Sequence, residues 1–425
     1  MNLPHLLFAD QKGKIQKHPY LKMAVSSLNL FRLPQKSELI KIPKGSSLFY
    51  LPSRAPVGFN EKTGQFTPLF EFGAKPVHAV AAFVIPAYLR LYNPAVVRHN
   101  RGKLPLWAYT ACGMVGSDIY VTANRIDRRV RQSPHFYKNS LIKKQIKVFL
   151  KNYPRNRLYR HLSNCALNYN CLAAKNLFLE RWEAPLPTSR ACNARCIGCL
   201  SYQESDCEAS HSRISFKPSA LEIYEIMHNH LSRAQEAIVS FGQGCEGEPL
   251  LEAEAISEAV AKIRKNLSRG TINMNTNASI PGKIDLLCRA GIDSFRISLN
   301  SPQEKFYNLY FRPLRYEFRD VLKSIEIAKR HGKFVSINLF IFPGFSDSEG
   351  QIKALLNFIK NTGVDMVQMR NLNIDPDFYF EILKCKDFSP KGVKFLVNTL
   401  NKEFPRLKIG YFNLPKEKFK NFENI

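Results

Sequence analysis

Arg190-Ala-Cys192-Asn-Ala-Arg-Cys196-Ile-Gly-Cys199-Leu-Ser-Tyr202 sets three cysteines at C-x3-C-x2-C spacing, directly after an extended, Pro-containing stretch, Trp182 to Thr188. Three thiolates on one short loop hold three corners of a [4Fe–4S] cluster, a cluster usually held by four. The fourth iron then has no ligand nearby in sequence and is open to a small molecule. A structural zinc site with His211 as the fourth ligand is the competing chemistry for the same three cysteines.

The chain around this loop alternates. Short apolar runs at Ala237–Phe241, Thr271–Met274, Ser294–Leu299, Phe334–Phe342 and Val364–Met369 are separated by helical stretches. Strand followed by helix, repeated, means parallel strands joined by crossover helices. With the strand before the cysteines, this predicts six units over residues 181–375. That is short of the roughly 250 residues of a closed eight-unit barrel. The expected fold is therefore α/β, a partial (β/α)6 TIM-like barrel. Pro185 and Pro187 in the first strand remove ladder donors and place it at an edge.

Residues 1–132 read differently, as short strands punctuated by Pro, Gly and Asn, with hairpin cues at Asp10-Gln-Lys-Gly13 and Asn60-Glu-Lys-Thr-Gly64. A β-rich N-terminal domain is expected there. Residues 133–180 are expected to form a helical bridge, with one helical pattern over Leu141–Leu150 and another over Leu158–Leu179. Residues 376–425 form a C-terminal extension with a helix at Val393–Leu400 and a short apolar run at Leu407–Phe412.

Ten cysteines in 425 residues are too sparse for a disulfide scaffold. No apolar run reaches the roughly 20 residues of a membrane-spanning helix, and Met1 to Tyr20 lacks the pattern of a signal peptide. The expected location is the cytoplasm. Cys165, Cys171, Cys207 and Cys245 are the set from which a second cluster would have to come; buried apolar thiols are the plainer reading. Charge is concentrated at one end. Residues 1–180 carry 28 Lys and Arg against 7 Asp and Glu, while residues 181–425 carry 34 against 28. Such an excess suits either a nucleic-acid partner or a solvated basic face.

Ligands of α/β sheets sit at the carboxyl ends of the strands. After the cysteine loop, the second strand ends in Gly242-Gln-Gly-Cys-Glu246-Gly247-Glu248-Pro249, whose carbonyls and carboxylates suit a cationic amine. The third ends in Asn273-Met-Asn275-Thr-Asn277, three amides on alternating positions. The fourth ends in Ser298-Leu-Asn300-Ser301, short polar groups suited to hydroxyls. An iron cluster, an amine acceptor, amides and hydroxyl partners in strand order describe a site for S-adenosylmethionine beside a [4Fe–4S] cluster.

In these residues the chain resembles the radical S-adenosylmethionine (SAM) superfamily, in the style of its molybdenum-cofactor-synthase and peptide-maturase branches. Glu246-Gly247-Glu248-Pro249 is similar to the family's G-G-E-P motif, with Glu246 in place of the first Gly. Asn275-Thr276-Asn277 is similar to its third-strand T-N-G, with Ala278 where Gly is usual. Gly198 stands where members often carry an aromatic that contacts adenine, and Tyr202 is the nearby substitute. The resemblance implies Cys192, Cys196 and Cys199 as cluster ligands. It implies SAM contacts from Glu246, Gly247, Glu248, Pro249, Asn275, Asn277, Ser298 and Asn300. It also implies reductive cleavage of SAM to a 5′-deoxyadenosyl radical, fed by an external flavodoxin- or ferredoxin-like electron donor. The substrate, whether peptide, small molecule or RNA, is left open. The alternative from another class is a non-catalytic iron–sulfur or zinc protein, a redox sensor binding nucleic acid through residues 1–180.

Overall fold

A computed structural model describes residues 3–28, 30–100, 102–130, 133, 136–203, 209–384 and 388–420. Cys207, Cys385 and Arg131 lie outside the described residues.

The alternating pattern beyond Trp182 folds as one parallel sheet. Its strands are Arg181–Pro185, Gln235–Phe241, Thr271–Thr276, Ser294–Leu299, Phe334–Ile341, Met366–Asn371 and Lys408–Gly410, hydrogen-bonded in that order. It is a curled half-barrel, open between its first and last strands, with the Pro-bearing strand at an edge as expected. All six strands expected over residues 181–375 are present, and a seventh is added to them. The seventh comes from the tail, where Lys408, Ile409 and Gly410 pair in parallel with Met366, Val367 and Gln368. A sixth strand left at the edge would expose an unpaired ladder; this short strand covers it.

Side chains alternate across the sheet because successive Cβ atoms point to opposite faces. Val239, Ile272, Met274, Phe295, Ile297, Val335, Ile337 and Val367 are buried, forming an apolar face of the kind that crossover helices cover. The other face is polar. Asn273 Nδ2 donates to Ser240 Oγ (3.2 Å), and Ser294 Oγ donates to Asn273 Oδ1 (2.9 Å). Arg296 donates to Gln368 Oε1 (3.3 Å), and Gln368 Nε2 donates to Asn413 Oδ1 (2.7 Å). Asn413 in turn donates to Glu183 Oε1 (2.7 Å). A closed barrel of this family of folds is filled by layers of branched apolar side chains; a hydrogen-bonding lumen is a surface for a ligand.

The helices of the bridge are Asn139–Asn152, Arg157–Leu167 and Leu172–Phe178. The expected single pattern over Leu158–Leu179 is two helices, because Asn170 adopts φ +53° and breaks the run. Asn156 caps the second of them, its side chain accepting from the amides of Leu158 and Tyr159. The helix Ala220–Arg233 starts with a capping box, Ser219 and Glu222 reciprocally bonded.

The chain divides into two compact units that do not follow sequence order. One comprises Arg129–Leu339, 357–368 and 406–425; the other comprises Met1–Arg128, 340–356 and 369–405. The second is β-rich, as expected, and built on an 11-stranded sheet that is antiparallel throughout. Both hairpin cues are hairpins: Ala9 pairs with Ile15 around Gly13 (φ +78°), and Asn60 pairs with Gln65 around Gly64 (φ +67°). Within this unit Arg54 is fully buried. Its guanidinium donates to Asp375 Oδ2 (3.0 Å) and pairs with Asp377 (2.8 Å), while Asp375 also accepts from the Leu104 amide (2.9 Å). Arg90, equally buried, donates to the Leu372 carbonyl (2.9 Å) and lies over the Phe342 ring at 4.9 Å.

No helix among the described residues is long and apolar enough to cross a membrane.

Candidate active site

The loop after the first half-barrel strand carries Cys192, Cys196 and Cys199, all partly exposed and free of disulfides. Burial pushes the Cys192 thiol up to about 12, with the Glu248 carboxylate adding to it. Cys196 is raised further, by burial first and then by the two neighbouring cysteines. Burial and neighbouring charge disfavour the thiolate form of Cys192 and Cys196. A cationic centre offsets both effects, and three thiols on one loop are the donor set of an iron–sulfur cluster with an open iron. Arg213 stands 3.6 Å from Cys199 Sγ and 5.3 Å from the centre of the exposed Tyr202 ring, a cation beside the thiol.

The loop after the second strand is pinned to the cysteine loop by backbone. The amides of Gly247 and Glu248 donate to the carbonyls of Ser189 (2.7 Å) and Ala191 (2.8 Å). A Cβ on Gly247 would stand 1.9 Å from the Ala191 carbonyl oxygen, and one on Gly242 would stand 1.7 Å from that of Asn275. Only glycine permits these approaches.

The two glutamates of this loop have different jobs. Glu246, buried, has both carboxylate oxygens engaged by the backbone. One accepts from the amides of Thr188 (2.6 Å) and Ser189 (3.0 Å), the other from those of Gly242 (2.6 Å) and Gln243 (2.8 Å). It sews the end of the first strand to the end of the second and has no oxygen left over for an amine. Replacing Glu246 with Gln turns one acceptor into a donor facing two amides. Leaving these two buried amides unpaired costs about 2–6 kcal/mol at 1–3 each. Urea unfolding of the cluster-free chain should show the loss, and an unchanged midpoint would contradict the clamp.

Glu248 is buried too, yet looser. It accepts from Thr276 Oγ1 (2.5 Å), the Asn277 amide (2.9 Å) and the Leu250 amide (3.1 Å). Burial lifts it to about 7, so the carboxylate is short of positive partners. Pro249 follows at the first position of a 3₁₀ turn that Glu248 caps.

The amides of the third strand are tied in. Asn275 Nδ2 donates to the Gly242 carbonyl (3.0 Å), and Asn277 Nδ2 donates to Asn193 Oδ1 (2.8 Å) in the cysteine loop. The structure therefore joins Cys192–Cys199, Glu246–Pro249 and Asn275–Asn277 in one bonded neighbourhood. Asn300 donates to the Phe306 carbonyl (3.0 Å), orienting the turn after the fourth strand. Ser298 is partly exposed beside it on that strand. The sequence reading picked out Gln368 at the end of the sixth strand but missed the other lumen residues, Glu183, Arg296, Ser336 and Asn413. Arg296 and Ser336 carry a signal, as polar residues alternating with apolar ones along their strands, whereas Asn413 lies beyond the last strand and carries none.

Residues 186–359 match the family model described as the radical SAM superfamily. The chain carries a radical SAM domain. The family is one of SAM-cleaving radical enzymes, so the domain marks the chain as an enzyme, and the family implies a [4Fe–4S] cluster and SAM. Among solved structures, methylornithine synthase (PylB) is similar at 14% identity over 57% of this chain and 68% of that one, with a TM-score of 0.39. A radical SAM methyltransferase from Sphaerobacter thermophilus is similar at 16% identity over 55% and 67%, with a TM-score of 0.40. Streptococcus suis SuiB bound to S-adenosylmethionine is similar at 16% identity over 64% and 62%, with a TM-score of 0.40. No curated protein matches the sequence.

Proposed function

We propose that this radical SAM enzyme binds its cluster through Cys192, Cys196 and Cys199 and binds SAM along the strand ends bearing Glu248, Asn275, Asn277, Ser298 and Asn300. The observation that carries the reading is Glu248. It is a buried carboxylate, electrostatically coupled to Cys192, raised to about 7 and held only by neutral donors. A carboxylate in that state gains from a cation, and the methionine ammonium of SAM is one. When bound and reduced by an external donor, the cluster and SAM together supply a 5′-deoxyadenosyl radical able to abstract hydrogen.

The chain's own residues do the rest. Glu246, Gly242 and Gly247 fix the two loops at backbone contact distance, while Pro249 sets the turn that presents Glu248. Arg296, Gln368 and Asn413 line the sheet's polar face, which favours a polar, hydrogen-bonding substrate. A peptide or small molecule fits this better than RNA. Two arginines of the basic half also serve the fold: Arg125 donates to the Asp127 carbonyl (3.0 Å) and Arg129 to that of Phe412 (3.0 Å).

Glu248 makes the reading testable by pH. Its folded pKa lies above the ordinary carboxylate value, so the folded chain holds a proton that the unfolded chain has lost. Stability of the cluster-free chain should fall as pH rises from about 4.5 to about 7 and then level off, costing up to about 3 kcal/mol. Glu248→Gln should remove that fall. The same variant should keep its iron yet bind SAM about ten- to a hundred-fold more weakly, the loss of a hydrogen bond to a charged group. Asn300→Ala should behave alike in kind, through loss of the turn it orients. Unchanged SAM affinity in both variants, measured by equilibrium dialysis, would overturn this placement.

A further inference from the structure

A second group of soft ligands lies outside the cysteine loop. His161 and Cys165 sit at positions i and i+4 of the helix Arg157–Leu167, hence on one face. Cys245 comes from the loop after the second half-barrel strand, one residue before Glu246. His161 Nε2 is 3.6 Å from Cys165 Sγ. That nitrogen and the two sulfurs all lie within 4.8 Å of one another, with both thiols buried. Ligands around one tetrahedral zinc ion, at about 2.0–2.3 Å from the metal, stand roughly 3.3–3.8 Å apart. The trio needs to close only slightly to reach that spacing.

A fourth donor stands nearby, outside that 4.8 Å group: His211, whose ring is near enough to Cys165 for the two to interact electrostatically. His211 hydrogen-bonds through its backbone amide to the Leu200 carbonyl, and Ile214, three residues on, donates to the Cys245 carbonyl (2.8 Å). The His211 ring packs beside Tyr169 at 5.4 Å, and its Nδ1 is buried with no hydrogen-bond partner. A buried imidazole nitrogen without a partner is costly, and a metal ion removes that cost. Two thiolates and two imidazoles select zinc among common divalent ions.

The geometry points to a structural zinc site of His161, Cys165, Cys245 and His211, separate from the radical SAM cysteines. It ties the bridge helix to the loop that carries Glu246 and Glu248, so it braces the candidate SAM segment from behind. The site does not depend on the cluster assignment, since none of its ligands comes from Cys192, Cys196 or Cys199.

The test uses the full chain carrying Cys192→Ala, Cys196→Ala and Cys199→Ala together, expressed with added zinc and analysed for metals after desalting. About one zinc per chain is expected, falling below about a tenth when Cys165→Ser or Cys245→Ser is added. Zinc absent from the triple variant would overturn the proposal. So would iron with acid-labile sulfide in it, which would mean a second cluster, or an intact mass short by two hydrogens, which would mean a Cys165–Cys245 disulfide. Where a serine variant fails to fold, Co²⁺ titrated into the triple variant gives the same answer. A tetrahedral thiolate–cobalt spectrum that changes with His161→Gln supports the site, and a purely aqueous cobalt spectrum overturns it.

Discussion

Cys192→Ala, Cys196→Ala or Cys199→Ala, each alone, is expected to strip the chain of most of its iron and of all 5′-deoxyadenosine formation. On the proposed assignment the three thiols are the cluster ligands, and two thiolates in a half-open site cannot hold a cubane against water. The effect is therefore all or nothing, unlike the graded loss expected from Glu248. Iron and sulfide measured on anaerobically purified protein, with 5′-deoxyadenosine measured after chemical reduction, read both consequences. Cys112→Ala and Cys288→Ala serve as controls, because these thiols are buried in apolar packing and should leave iron at the wild-type level. A single-alanine variant of the loop that keeps its iron would move the cluster elsewhere.

Arg54→Met is expected to cost the β-rich unit about 3–5 kcal/mol, the usual result of stranding one side of a buried ion pair. Asp375 and Asp377 would keep their charges without the guanidinium that compensates them. The midpoint of urea unfolding followed through the intrinsic fluorescence of that unit's Trp107 reports the loss. Arg54→Met with Asp375→Asn and Asp377→Leu should recover part of it, since no buried charge is then left unpaired and an amide oxygen at position 375 still accepts from the backbone amide of Leu104 or of residue 377. If the single variant unfolds at the wild-type midpoint, the pair contributes nothing and the fold is held otherwise.

The half-barrel was legible because its signals are local. Apolar runs such as Ser294–Leu299 coincide with the strand observed, and the cysteine loop follows the first strand as the spacing predicts. The seventh strand was legible only as the apolar run Leu407–Phe412: Lys408-Ile-Gly is too short to show a period, and it becomes part of the sheet because the sixth strand offers it an edge. Glu246 and Glu248 could not be told apart as amine acceptors, because sequence shows two carboxylates without showing the four amides that converge on Glu246. Arg54 and Arg90 gave no hint of burial, since arginines are mostly exposed and their partners lie hundreds of positions away. The lumen sits between these cases, its period-two polar residues present in the sequence but carrying meaning only once the strands are known to face one another.

The interleaving of the two units has a consequence for how the chain is made. Asp375, the counter-ion of Arg54, is 321 residues downstream of it, and the β-rich unit also draws on residues 340–356 and 369–405. At typical translation rates of about 5–20 residues per second, the N-terminal strands wait some tens of seconds at the ribosome before their partners emerge. During that interval an arginine destined for the interior is unpaired and sheet surfaces are uncovered, the state in which nascent β-structure aggregates. Contacts of such sequence separation also slow the final closure. Expression of the first 180 residues alone would freeze the chain at that stage, so a soluble N-terminal fragment is not to be expected, and slowed synthesis or a holdase chaperone should raise the yield of the full chain.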